Sequence, residues 1–458
     1  MKQALGVFGF ALLVRIAYIG VFVTPEQLGA EDQLLYISMA RSILDSGLVA
    51  LTTERVYGYP LFMSAVFFLF GHGLYGLLGV QAVVDSLSCV LVGRLADAAL
   101  GRGFLIAGLL SALNLNMVIL SGMVLTDSLF LCLFTLFLLF LIRFLHGHRT
   151  TDYIGCLFFL VAATAVRSAS YYLVPCMMLA LAFWSGFAAM TPRRIALQFM
   201  TGVAIFAAIL GPQHLRNWQR YETLSLVSQG GTHLLGWVVP AVYQYSGRGS
   251  YQEGQDRARS RLEQAMAADG LTMLSENPFA ASRYRAEVAG QILRDLGWMS
   301  LIKAWSVGAA INFIAPSSAF APAVRAMEHP SFYGTPGVGV VQKLWNYVTD
   351  ARGALYLSLL AIGTLTSLAF FVAFLIGWWG VFRQSLAAGA GTANFGVALF
   401  LGLIVAYFVG VTGPIIGSKY RLPMEPIMTI FVAGACCRNA RRSSRANALD
   451  ATKGFGQR

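Results

Sequence analysis

Apolar stretches of about twenty residues recur along this chain, from Leu5 to Val23 through to Ile427 to Ala435, and each approaches the length needed to cross about 30 Å of hydrocarbon as a helix. Lipid offers no partner for backbone N–H and C=O groups, so the crossing segments must satisfy them internally. Composition agrees: 57% of the 458 residues are hydrophobic and 12% charged, with mean hydropathy +0.66, against roughly a quarter charged in a soluble domain. An ordinary cytosolic enzyme is excluded, and the spans imply one integrated helical bundle.

The net charge of +12 does not point to nucleic acid. The basic residues flank apolar runs in short clusters: Arg94 and Arg102, Arg143 and Arg149, Arg193 and Arg194, and Arg438 to Arg445. That is the pattern of cytoplasmic loops. The six cysteines lie in or beside apolar segments with neither metal spacing nor a disulfide framework. Lys2 before an apolar run resembles a signal peptide, but no small-residue cleavage site precedes Glu31, so a retained first helix is expected.

With the basic clusters inside, spans are expected at about 4–23, 74–99, 104–123, 128–145, 153–166, 171–188, 195–212, 353–382, 395–413 and 420–437. Pro60 to Phe70 is too short to cross, and Trp298 to Ala315 is expected to be re-entrant. The membrane domain covers 1–437, followed by a basic cytoplasmic tail at 438–458. Two outer regions stand out within it: a first loop with juxtamembrane helices at 24–72, and a larger one at 213–352. The first loop carries Glu26, Glu31, Asp32, Asp45 and Glu54 against Arg41 and Arg55, unlike the basic inner loops. Leu34, Leu35, Ile37, Ile43 and Leu44 give it an interfacial amphipathic helix starting at the acidic pair. Arg248 to Asp295, with seven basic and seven acidic residues, reads as a soluble helical lobe.

Several separated segments therefore point polar groups at one face: Glu31 and Asp32, Asp127, Arg167, His214 and Arg216, and Lys419 and Arg421. A carboxylate base with cations for a phosphate is the equipment for transferring a group from a phosphate carrier to a hydroxyl. Each residue also has a plain alternative. Asp127 after Thr126 is equally a helix N-terminal residue, Arg167 a snorkelling helix end, and Arg421 an interfacial anchor. Arg15 and Asp85 fall inside spans, where isolated charges cost several kcal/mol, so a mutual structural pair is expected.

The order and wording of these segments resemble the GT-C superfamily, specifically the bacterial glycosyltransferase 39-like proteins related to protein mannosyltransferases and to lipid A aminoarabinose transferases. AEDQLLYISMARSILDSG resembles the first-loop pattern, in which Asp32 would be the catalytic base with Glu31 and Tyr36 beside it. ERVYGYPLFMSAVFFLFG resembles the Arg-x-Pro-Gly-Tyr-Pro run through Arg55, Gly58, Tyr59 and Pro60, with Tyr57 where Pro is usual. VLTDSLF matches the second acidic motif at Asp127, and ATAVRSASYYLVP resembles the Thr-Arg-Pro segment at Arg167, with Ser168 in place of Pro. GPQHLRNWQRYETLSLVSQGGTHLLG resembles the loop after the seventh span, carrying Arg216, Asn217, Gly230 and Gly231. SKYRLPMEP resembles the Arg-Tyr-x-x-Pro opening of a late span, with Lys419 in the Arg position, then Tyr420 and Arg421.

The resemblance implies an all-α, GT-C-like bundle of about 10 to 12 transmembrane helices with an extracytoplasmic first-loop helix and a small helical lobe. It implies inverting transfer of a sugar from a polyprenyl-phosphate donor to a lipid, glycan or protein acceptor at the outer face of a bacterial inner membrane. Asp32 would be the base and Asp127 would orient the acceptor or a cation, while Arg216, Arg167 and Arg421 would neutralise the phosphate. Gly230 and Gly231 would allow close approach to the donor, or only form a turn. No cofactor is expected. Oligosaccharyltransferases of the superfamily use a divalent metal, and two carboxylates leave room for one, but mannosyltransferase-like relatives generally do without. The rival from another class is a transporter or flippase of lipid-linked sugars, which often shows inverted repeats; none is found. Acceptor choice is expected to reside in 248–295 and 317–352.

Overall fold

The computed structural model describes residues 1–29, 32–47, 52–389 and 391–437. Among these no strand occurs. The chain runs through α1 (Lys2–Phe22), α2 (Asp32–Ser46), α3 (Gly58–Phe70), α4 (Leu74–Leu100), α5 (Phe104–Ala112) and α6 (Leu115–Ser121). There follow α7 (Asp127–Gly147), α8 (Thr150–Val166), α9 (Leu173–Phe187), α10 (Pro192–Ile209), α11 (Gly211–Tyr221), α12 (Gly230–His233) and α13 (Val239–Tyr245). The charged stretch forms α14 (Tyr251–Ala268) and α15 (Pro278–Leu296), and α16 (Trp298–Ile314), α17 (Pro322–Arg325) and α18 (Gly339–Asp350) follow. Two long helices, α19 (Ala354–Ala388) and α20 (Ala393–Thr412), precede a 3-10 turn and a last helix, α21, over 425–437.

The span count is lower than the sequence suggests. Among the described residues six helical segments are long and apolar enough to cross, or up to eight if two bent pairs each count as one. The expected ten to twelve is corrected by three local effects. The run at 104–123 breaks at Leu113–Asn114, where α5 and α6 meet at 53° and Asn114 accepts from the Met117 amide to start a new helix. The run at 195–212 continues as α11 after a 58° bend at Gly211 and Pro212. The stretches at 153–166 and 420–437 yield only the short α8 and a helix that begins at Glu425, because Pro423 sits in a 3-10 turn.

α7 is the central helix. Its Phe130, Phe134, Phe137 and Phe144 are fully buried, Phe130 stacks on Phe134 at 5.3 Å, and 67% of its most apolar stretch is covered by protein. α19 is peripheral, with 6% covered, and presents its apolar surface outward.

The broken α5–α6 segment accounts for the intramembrane Arg15. A helix end in hydrocarbon leaves carbonyls without partners. Arg15 donates to the Ala112 and Ser111 carbonyls at 2.7 and 3.3 Å and to Asp85 at 2.6 Å, with its side chain fully buried. The pair expected from sequence is therefore also the C-terminal cap of α5.

Among the described residues, members of the basic clusters collect at one end of the bundle. Arg143 pairs with Asp152 at 3.0 Å, Arg194 donates to the His148 carbonyl, and Arg102 and His146 line a cavity of about 520 Å³ with the far ends of α4 and α19. Asp127 opens α7 at the opposite end.

Candidate functional site

Four sequence motifs meet at that opposite end. Asp32 begins α2 and accepts from Arg55 Nη2 at 3.0 Å; Asp127 begins α7 and accepts from Arg167 Nη1 at 2.6 Å. Both carboxylates thus sit at helix N-termini, where the backbone dipole favours negative charge. Their exposures differ: the Asp32 side chain is 51% exposed and that of Asp127 is 5%. One carboxylate can meet a ligand directly, and the other is set in the wall.

Tyr36 stands among all four charges. Burial pushes its hydroxyl above the ordinary value, and it feels Arg55, Asp32, Arg167 and Asp127. Its ring packs edge-on against Tyr59 at 5.2 Å, and the Tyr59 hydroxyl donates to Gln81 Oε1 at 2.5 Å. Gln81 in turn donates to the Met123 carbonyl at 2.9 Å, while Gln33 accepts from the Val124 amide at 2.8 Å. The two glutamines fasten α2 and α4 to the segment that leads into Asp127. Sequence reasoning passed over both, although Gln81 inside an apolar run was a signal of the same kind as Asp85.

Gly58 brings the Arg55 segment onto α8. A Cβ at this position would lie 2.6 Å from the Ala165 carbonyl oxygen, two residues before Arg167. No side chain fits there, so the requirement for Gly58 is one of close backbone approach.

Arg216, half-buried on α11, reaches the Thr52 carbonyl at 3.3 Å and so lies beside the strand of chain that leads to Arg55; burial lowers its pKa. Asn217 has its amide on the Ser225 and Leu226 carbonyls at 2.8 and 3.1 Å and is fully buried. His214 turns to the Leu224 carbonyl at 2.7 Å and packs on Tyr171 and Phe206. Gly231 lies against α15: its amide donates to Ser282 Oγ at 2.9 Å, and a Cβ there would come within 1.8 Å of the Ser282 carbonyl oxygen. Nothing lies within 4 Å of a Cβ at Gly230. Glu31 lies outside the described residues, as does the 438–458 tail.

Arg421 and Lys419 behave differently from one another. Arg421, 5% exposed, donates to Glu425 at 2.7 Å, to the Phe313, Asn312 and Ala315 carbonyls at 2.7, 3.3 and 3.3 Å, and to Ser317 Oγ at 3.1 Å. It caps the C-terminus of α16 as Arg15 caps α5, and its donors are spent on protein. The expectation that it meets a phosphate is revised on that ground. Lys419 lies over Phe320 and Tyr420, both at 5.5 Å, and forms no ion pair among the described residues. It shares a neighbourhood with Arg55 through His233, whose pKa is lowered by burial and then by those two cations. His233 directly follows the Gly230–Gly231–Thr232 run and was not singled out from sequence. Tyr420 packs in the cluster formed by Tyr251, Tyr333 and α13.

Asp32 and Asp127 each accept from an arginine. Among the described residues no group of three His, Cys, Asp or Glu side chains converges.

No protein-family profile and no curated protein sequence matches the chain. Solved structures do match. Oligosaccharyltransferase AglB from Archaeoglobus fulgidus, solved with an inhibitory peptide and a dolichol-phosphate, aligns over 98% of this chain at TM-score 0.50 and 14% identity. The chain therefore shares its fold with the matched part of that archaeal protein. The chain spans about half of the archaeal protein's length, 52%. ArnT from Cupriavidus metallidurans aligns in its apo state over 90% of this chain and 77% of its own, at TM-score 0.40 and 17% identity. Its undecaprenyl-phosphate complex aligns over 89% and 77%, at TM-score 0.36 and 18% identity.

Proposed function

We propose that the chain transfers a sugar, with inversion, from a polyprenyl-phosphate carrier to a lipid, glycan or protein acceptor on the non-cytoplasmic side of a bacterial inner membrane. The observation that carries this reading is the pair of carboxylate–arginine contacts, Asp32–Arg55 and Asp127–Arg167, gathered around Tyr36 at the end of a GT-C-like bundle remote from its basic clusters. The basic end faces the cytoplasm by the positive-inside bias, which turns the carboxylates outward. The glycosyltransferase 39-like branch is the closer kinship proposed, on the motifs at Asp32, Arg55, Asp127 and Arg167.

In this reading Asp32, the exposed carboxylate, takes the proton of the acceptor hydroxyl as its oxygen bonds to the anomeric carbon. The bond from that carbon to the carrier phosphate oxygen breaks on the opposite side, and its electron pair leaves on the phosphate. Arg55 orients Asp32. Asp127 and Arg167 form a fixed wall that positions the sugar or acceptor. Arg216 and Lys419, with His233 between Lys419 and Arg55, receive the phosphate charge. Arg421 belongs to the frame. No step passes through a metal.

The test is transfer of radiolabelled sugar from polyprenyl-phosphate donors to membrane acceptors, comparing the protein with Asp32→Asn at matched expression. A loss of about 100-fold or more is expected for a general base. Movement of the intact carrier across the bilayer, uncleaved and indifferent to the substitution, would instead establish a transporter.

A further inference from the structure

α18 is amphipathic in the inverted sense. Val341, Leu344, Trp345 and Val348 recur at i, i+3, i+4 and i+7, so they form one face. That face is the exposed one, at 78%, 42%, 71% and 52%. The opposite face carries Lys343, fully buried, and Tyr347 at 8%. A helix on a water-exposed surface would be turned the other way, because exposing four large apolar side chains while burying an ammonium is unfavourable on both counts.

The rotation is fixed by specific contacts. Lys343 Nζ donates to Gln244 Oε1 at 2.8 Å and to the Tyr333 carbonyl at 3.4 Å, and lies 4.8 Å from the Phe332 ring centre and 5.6 Å from that of Tyr251. The Tyr347 hydroxyl meets that of Tyr356 in the first turn of α19. α18 is thereby locked against the end of a helix that has only 6% of its apolar stretch covered and carries no charged residue before Arg383. Leu355, beside Tyr356, is itself 63% exposed. The other end of α19 lines the cavity with Arg102 and His146, so α18 is at the end that holds Asp32 and Asp127.

We infer that α18 is an interfacial helix whose Val341–Leu344–Trp345–Val348 face inserts among the lipid acyl chains of the leaflet on the Asp32 side. Lipid is favoured as the occupant because Tyr347 fastens α18 to the first turn of α19, a span-length apolar helix whose surface, Leu355 included, is left uncovered by protein. Trp345 at the centre of the face suits the headgroup boundary, where an indole has an apolar body and a polar N–H. The inference stands apart from the proposed chemistry, since it needs only the bundle to lie in a membrane.

Spin labels test it in the full chain, reconstituted in phosphatidylcholine vesicles, with Cys176, Cys436 and Cys437 replaced by Ser. Labels at Val341→Cys, Trp345→Cys and Val348→Cys should collide with oxygen several-fold more readily than with a water-soluble nickel chelate. Labels at Gln342→Cys and Thr349→Cys on the flanks should show the reverse preference. Preference for the chelate at 341, 345 and 348 would overturn the inference, and so would exclusion of both reagents with dipolar broadening between labels, which means a second copy covers the face. As a check that needs no cysteine, brominated acyl chains should quench the fluorescence lost in Trp345→Phe. Transfer activity is not a readout, so failure here and failure of the glycosyltransferase reading are distinguishable.

Discussion

At the scale of the residue, the same side-chain type does different work according to what surrounds it. Arg15 and Arg421 end as caps on helix carbonyls inside the bundle, while Arg55 and Arg167 pair with carboxylates at its end. Sequence places all four near apolar segments but cannot tell which have their donors consumed, because the carbonyls that Arg15 and Arg421 meet come from elements as far as 97 and 109 residues away. The Arg15–Asp85 pair gives a direct prediction. Asp85→Asn leaves a buried guanidinium without its counter-ion and should cost about 3–5 kcal/mol, whereas Arg15→Met with Asp85→Leu should recover part of that loss. Thermal unfolding in detergent reads both, and a single mutant as stable as the parent would remove the pair from the account. Lys343 gives a pH prediction. Burial pushes its pKa down to about 8 from an ordinary 10.5, so the unfolded chain binds that proton more tightly than the folded one. The penalty is complete below pH 8 and fades as pH rises from 8 toward 10.5. The parent should therefore gain stability relative to Lys343→Met across that interval, and parallel pH profiles for the two proteins would contradict the assignment.

At the scale of the element, helix breaks and close approaches build the site. The α5–α6 break at Asn114 and the bend at Pro212 spoil two runs that look like simple spans. Composition reveals apolar length but not where a helix will bend, since the bend is stabilised by partners such as Arg15. Gly58 joins α3 to α8 at a distance no Cβ tolerates. Gly58→Ala should separate Arg55 from Arg167 and reduce kcat/KM at least about tenfold, the scale of a small misplacement of reacting groups. The informative comparison sets transfer kinetics beside a melting curve. Unchanged kinetics would show that the approach serves packing alone. α2 was legible as an amphipathic helix from its leucine and isoleucine spacing, whereas α18 was not noticed. Its pattern is just as regular, but only the fold shows that the apolar face points out.

At the scale of the whole molecule, the bundle is polarised. One end gathers Arg102, Arg143, His146 and Arg194; the other gathers Asp32, Asp127, Arg55 and Arg167. A membrane-impermeant maleimide should therefore reach Cys436 and Cys437 only from the cytoplasmic face. A cysteine introduced at the exposed Gln252 on α14 should react only from the opposite face. Comparing right-side-out with inverted vesicles measures this, and reaction of both sites from one side would refute the orientation.

The sequence alone determined that the chain is a helical membrane bundle, because apolar length and the side preference of basic residues are local properties that lipid enforces directly. Asp32, Arg55, Asp127 and Arg167 stood out only as part of a longer set of expected site residues, Arg216, Lys419 and Arg421 among them, through motifs that each occupy a few consecutive residues. Only the tertiary structure decided how many segments are long enough to cross, which arginines are spent on capping, and that His233, Gln33 and Gln81 belong near the site. Those outcomes depend on which orphaned backbone groups and buried charges meet across the bundle, and that pairing is set by packing between distant segments.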